Sequence, residues 1–146
     1  MLELSQLLAT GRPSHGAVKG LTESELSDLE NGLGVPRLPG AYREFMRLMG
    51  RGAGRLLAGT DAFYPEIVEY QEEARDLLNE SPINDSLVKD ALIFAIHQGY
   101  QVYWMSDVSS DDPPVLMYQE NQDNVSFEWD SFTDFVNDQY GEIAGR

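Results

Sequence analysis

Between residues 21 and 49 the apolar positions fall at spacings of three and four. Leu26, Leu29 and Leu33 make one stripe, and Tyr42, Phe45, Met46 and Met49 make a second. That period is the mark of helices with one buried face. Thr22 and Glu25 form a T-x-x-E capping box that opens the first helix, and Gly32 or Gly34 closes it. Between the stripes lies "GVPRLPG", residues 34–40. Pro36 stops the first helix from running through, and Pro39 suits the opening turn of the second. Val35 and Leu38, each ahead of a proline, are pushed towards extended backbone. The stretch reads as helix, rigid elbow, helix.

Leu4, Leu7 and Leu8 predict a short helix ahead of these, and "GRPSHGAVKG" (11–20) predicts a loop. A further helix is expected from about Pro65. Ile67, Tyr70 or Val68, Ala74, Leu77 and Leu78 would face inward there, with Glu66, Glu69 and Glu73 among those outward. "SPINDS" (81–86) breaks it. The period then changes. "ALIFAI" (91–96) reads as a buried strand, "QVYWM" (101–105) alternates, and "VLMYQE", "NQDN" and "VSFEW" read as a hairpin. Ser131 caps a closing helix with Phe132, Phe135 and Val136 inward and Asp134 at the capping-box position. The prediction is one α+β domain over residues 1–146. An antiparallel-rich sheet at about 91–129 would be packed by helices 22–33, 40–49 and 131–140. Leu29, Phe45, Phe94 and Phe132 are expected in its core.

Length and composition fit that reading: 146 residues, 42% hydrophobic and 10% aromatic, suffice for a real core. Charge changes the picture more. The net charge is −15, unevenly placed. Residues 1–60 hold 7 Lys and Arg against 6 Asp and Glu, and residues 61–146 hold 3 against 19. Such asymmetry disfavours nucleic acid and anionic membrane as partners and favours a basic protein, although solubility alone can also explain it. No segment approaches 18 apolar residues, and the N-terminus lacks a basic start followed by a long apolar core. A cytoplasmic location is expected.

Catalytic and metal chemistry find little support. There is no cysteine, and the two histidines, His15 and His97, sit in no H-E-x-x-H spacing. "GRGAG" (50–54) follows a helix and lacks the Lys-Ser/Thr end of a phosphate loop, so it reads as a helix cap with a basic loop. Arg43, Arg47, Arg51 and Arg55 recur every four residues; pairing with the acidic helix after Pro65, or solvation, is a more ordinary use than clamping an anion. "DVSSDD" (107–112) has neither the central glycine nor the final glutamate of a calcium loop. No enzyme, no metal and no cofactor is the expectation.

"LENGLGVPRLPGAYREFMRLMG" resembles the opening motif of the SUKH superfamily. That family includes the yeast cell-wall-assembly and killer-toxin-resistance regulator and many bacterial immunity proteins. Its pattern is a Glu, a Leu-Gly, a Leu-Pro, an aromatic and a Phe within a helix, then Asn-Gly. Glu30, Leu33-Gly34, Leu38-Pro39, Tyr42, Phe45 and Gly50 take those places. Pro36-Arg37 lengthens the elbow, and Met49 stands where Asn is common. "LIFAIHQGYQVYWMSDVSSDDPPVLMYQ" and "SFTDFV" are similar to the family's later strands and closing helix, so the resemblance spans about residues 21–138. It implies an α+β fold without catalytic residues and a role in neutralising a cognate toxin of a polymorphic or contact-dependent system. The alternative is an intracellular scaffold or regulator with a non-toxin protein partner.

The partner surface expected from the sequence is a single acidic sheet end. Loop residues Asp107, Asp111 and Asp112, turn residues Glu120 and Asp123, and strand residue Glu128 would gather there without a Lys or Arg. Alternation puts Glu128 opposite Phe127 and Trp129 and so in solvent. An exposed aromatic, Tyr103 or Trp104, would assist: neighbours on a strand cannot both face inward, and if helices cover one face only, some aromatics stay exposed.

Overall fold

The computed structural model describes residues 18–53, 56–57, 59–83 and 90–144. The helix expected at residues 4–8 lies outside them. The described chain forms five helices and seven short strands, an α+β arrangement with a five-stranded antiparallel sheet.

Helix α1, Glu23–Leu33, starts at the capping box: the Thr22 hydroxyl accepts from Glu25 N–H, and the Glu25 carboxylate accepts from Thr22 N–H. It ends at Gly34, whose φ of 72° is the left-handed conformation that glycine adopts without strain. The elbow is fastened backwards. Glu30 is in the last turn of α1, and its carboxylate accepts the Leu38 N–H at 3.0 Å. Helix α2, Gly40–Met49, follows Pro39 and buries Tyr42, Phe45, Met46 and Met49 as the stripe predicts.

Two stretches read as loops contribute strands instead. β1, Val18–Lys19, pairs antiparallel with β2, Gly52–Ala53. Close packing holds this pair against α2, because a Cβ on Gly20 would lie 1.8 Å from the Arg47 carbonyl oxygen. β3, Thr60–Asp61, adds an edge to the main sheet. The helix after Pro65 is split at Tyr70 into α3, Glu66–Glu69, and α4, Gln71–Asn79. Ile67, Ala74 and Leu78 are buried. At the joint the Gln71 amide donates to the Ile67 and Ile93 carbonyls, tying both helices to the sheet.

The main sheet runs β3-β4-β5-β6-β7, with β4 Leu92–His97, β5 Gln101–Met105, β6 Val115–Gln119 and β7 Phe127–Trp129. Helix α5, Phe132–Ala144, closes the chain. A register shift between Ile93 and Ala95 turns both Phe94 and Ala95 to the same core. In that core, α1, α2 and α5 pack on one face of the sheet. Phe132 makes edge contacts with Tyr42, Phe45 and Phe94, centroids 5.5–5.6 Å apart. The Tyr42 hydroxyl is buried with no hydrogen bond to any described residue, and burial pushes its pKa well above the ordinary tyrosine value.

Helices cover both faces, not one. α4 brings Ala74 and Leu78 onto the second face against Ile93, Ile96, Val102, Trp104, Leu116 and Tyr118. Trp104 is therefore fully buried, 0% exposed, and the expectation of an exposed indole at this position is overturned. Tyr103, on the other face, is half-buried against Phe94, Phe135 and Trp129.

Candidate functional site

The sheet has two ends. β4, β5, β6 and β7 pair so that Leu92, Met105, Val115 and Trp129 lie towards one, and His97, Gln101, Gln119 and Phe127 towards the other. Loop 106–114 joins β5 to β6 at the first end, and turn 120–126 joins β6 to β7 at the second. Asp107, Asp111 and Asp112 are thus separated from Glu120 and Asp123 by the length of β6. The single acidic end expected from the sequence does not exist, because an antiparallel strand places its two connections at opposite ends.

At the first end the carboxylates are engaged. Asp107 tolerates a φ of 48°, and its carboxylate accepts from the Ser109 hydroxyl at 2.6 Å. Asp111 pairs with Arg37 of the elbow at 2.5 Å, and its backbone carbonyl accepts the Ala41 N–H in the first turn of α2. Asp112 is half-buried, and its carboxylate accepts the Thr133 N–H at 2.9 Å in the first turn of α5. Beside it Ser131 accepts the Asp134 N–H, the expected cap. These groups satisfy helix N-termini that would otherwise leave N–H groups without partners. Loop 107–112 holds α2 and α5 to the sheet, so reversing its charges would disturb the fold as well as the surface.

At the second end they have no partner among the described residues. Gln98 and Gly99, both with positive φ, make the tight turn between β4 and β5, and Asn121 has a φ of 73° in the next turn. Between α4 and turn 120–123 runs an open groove of about 470 Å³. Glu73, Asp76 and Glu80 line it from the helix side and Glu120 and Asp123 from the turn, together with Tyr118 and Leu77, and no Lys or Arg is among the described lining residues. None of these five carboxylates makes a hydrogen bond or ion pair to a described residue. Glu128 is exposed, on the face of β7 opposite Phe127, as alternation predicts. The outward face of the acidic helix, through Glu73, therefore shares one groove with the hairpin turn.

The arginines explain why. Arg43 pairs with Glu23, Arg47 with Glu44 and Arg51 with Glu25, all on α1 or α2 rather than on the acidic helix. Arg55 lies outside the described residues. The Thr22 N–H and Arg51 hold the Glu25 carboxyl below its ordinary value, and Arg47 does the same for Glu44. Among the described residues three of the four paired arginines are thus satisfied within residues 1–60, and Arg37 alone reaches an acid of the later half, Asp111.

No three of Asp, Glu or His among the described residues converge closely enough to hold a metal ion. No described helix is long and apolar enough to cross a membrane. Burial and the nearby Glu142 and Tyr100 raise the Tyr103 pKa, which favours its neutral form.

A family model, the SMI1 / KNR4 family (SUKH-1), matches residues 20–138. The chain belongs to that family. The matched span holds the elbow, both cores and the start of α5, and the family is generally a non-catalytic immunity or regulator domain. No curated protein and no solved structure matches the chain. The family motif has a structural meaning here. Glu30 ties down the elbow, Gly34 turns it, Leu38 and Pro39 are buried, and Tyr42 and Phe45 enter the core.

Proposed function

We propose that this SUKH-1 chain is a cytoplasmic immunity protein that binds and blocks a basic toxin domain, without metal, cofactor or catalysis of its own. The observation that carries the reading is the groove at the second end, where five carboxylates from α4, its C-cap and turn 120–123 stand without cationic partners among the described residues. Like charges held together without counter-charge are unfavourable in the free protein, and a basic partner relieves that repulsion. Effectors that attack nucleic acid present basic clefts. An acidic binder can occupy such a cleft, compete with nucleic acid and associate quickly through steering. The same charge argues against nucleic acid or an anionic membrane as a partner of this chain.

Of the candidate residues, Glu120 and Asp123 belong to this proposed surface, with Glu73, Asp76 and Glu80 added to it, while Glu128 is exposed on β7 outside the groove. Asp107, Asp111 and Asp112 are assigned to the fold. Co-expression with the product of the neighbouring gene, assayed for toxicity, tests the reading. Expected are restored growth, co-purification, and an association rate that falls steeply with salt. A toxin that kills equally with and without this chain contradicts it. Capture of a non-toxin cellular protein through the same groove would favour the scaffold reading instead.

A further inference from the structure

Phe127 is 52% exposed, and with Tyr100 it is one of two large hydrophobic side chains that the described residues leave in solvent. It lies on β7, the edge strand of the sheet, which has no described strand on its outer side. The ring is not loose. It packs on Trp129 with centroids 4.5 Å apart, and Trp129 packs edge-on to Phe135 at 4.9 Å. The Trp129 indole N–H donates to Asp138 of α5 at 3.0 Å, which fixes the platform. Met117 and Tyr103, half-buried on neighbouring strands, continue the same face. On the opposite face of β7, Glu128 is exposed, and Asp130 follows just beyond the strand.

Sheet edges that stay solitary are blunted with lysine, proline or a cover, because an open edge is a template for another strand. β7 is short, three residues, and carries the charged Glu128, but it has neither lysine nor proline and presents a rigid exposed aromatic. Its occupant is limited by charge. Residues 90–144 contain eleven Asp or Glu and no Lys or Arg. A second copy paired on β7 would bring like charges together, which is unfavourable for directly opposed residues. A basic strand would not.

We propose that β7 receives an extended basic segment of the protein partner by strand addition. Apolar side chains of the segment lie over Phe127 and Trp129, and Lys or Arg side chains alternate onto the Glu128 face. Main-chain hydrogen bonds supply affinity and the alternating side chains supply specificity. This rests on the reading of the chain as a binder of a basic protein, and it adds which element is bound and in what conformation.

The test uses a capped synthetic octapeptide alternating Lys and Val, titrated into the ¹⁵N-labelled full chain. Amide shifts are expected at 126–130 and at the Trp129 indole, with none from the same peptide carrying Glu for Lys. A peptide of equal charge with proline at alternate positions should bind about tenfold more weakly, because strand pairing needs its N–H groups. Phe127→Ser and Glu128→Lys should each weaken the Lys-Val peptide by about tenfold, with an otherwise unchanged spectrum showing intact folding. Shifts confined to α4 and turn 120–123, equal binding of the proline peptide, or no shift at millimolar peptide would overturn the inference. A toxin domain that binds wild type and Phe127→Ser equally would overturn strand addition while leaving the immunity reading standing. Failure of wild type to neutralise any toxin would remove the immunity reading, whatever the peptide does.

Discussion

Two stretches rich in carboxylates, at opposite ends of β6, meet different surroundings. In loop 107–112, Asp111 joins the elbow and Asp112 caps α5, so charge is part of the scaffold. Around turn 120–123 and α4, carboxylates of the same chemistry have no described partner. The difference comes from what each end meets. At the first end three helix termini or elbows converge, each with unsatisfied backbone groups or a cation. At the second only turns and one exposed helix face are present. Charge in a sequence therefore marks a binding surface only where the fold has not already found a use for it.

Substitutions at the two ends separate these roles, and the largest effect belongs to the packing that the first end fastens. Phe132→Ala opens the junction of α5 with Tyr42, Phe45 and Phe94 and should cost ~3–5 kcal/mol, enough to unfold a marginal domain. A melting curve unchanged by it would contradict the placement of α5. Glu30→Ala removes the acceptor for the Leu38 N–H in the part-buried elbow and should cost ~1–3 kcal/mol by chemical denaturation. Glu30→Gln, which keeps an acceptor oxygen, should recover part of that loss.

The effect at Glu25 is smaller and depends on pH. Its folded-state pKa is depressed by the Thr22 N–H and Arg51, so its stabilisation is present above the ordinary value of 4.5 and lost as pH falls through the folded value. Glu25→Gln should therefore melt below wild type at neutral pH, with the gap closing as pH falls from 4.5 through the depressed folded value. A gap that persists at low pH would show that the ion pair and its titration contribute nothing.

Much of the fold was legible because its signals are local. The capping box at Thr22 and Glu25, the stripe from Tyr42 to Met49 and the prolines of the elbow act within a few residues. The resemblance carried by Glu30, Leu33-Gly34 and Leu38-Pro39 named the family correctly. What failed was long-range. Nothing near Trp104 announces that α4 will cover its face of the sheet. Alternation says only that Tyr103 and Trp104 point to opposite sides. The acidic cluster was misassembled for the same reason, since sequence proximity of 107–112 to 120–123 hides the strand that separates them. Applying antiparallel connectivity to the predicted hairpin would have split that cluster. The pairing of Asp112 with Thr133 and of Arg37 with Asp111 spans 21 and 74 residues, and no local pattern encodes either. The exposed Phe127 was visible as an alternation partner of Glu128, but its exposure depends on where α5 stops covering the sheet.

The division between engaged and free carboxylates is tested most directly by comparing Asp112→Ala with Asp123→Ala in thermal unfolding at pH 7 and low salt. Asp112→Ala should lower stability by about 1 kcal/mol, because α5 loses an N-terminal acceptor. Asp123→Ala should leave stability within about 0.5 kcal/mol of wild type or raise it slightly by relieving repulsion. Equal melting temperatures for the two variants, or a larger loss at Asp123, would contradict the assignment of one acidic end to the fold and the other to the partner.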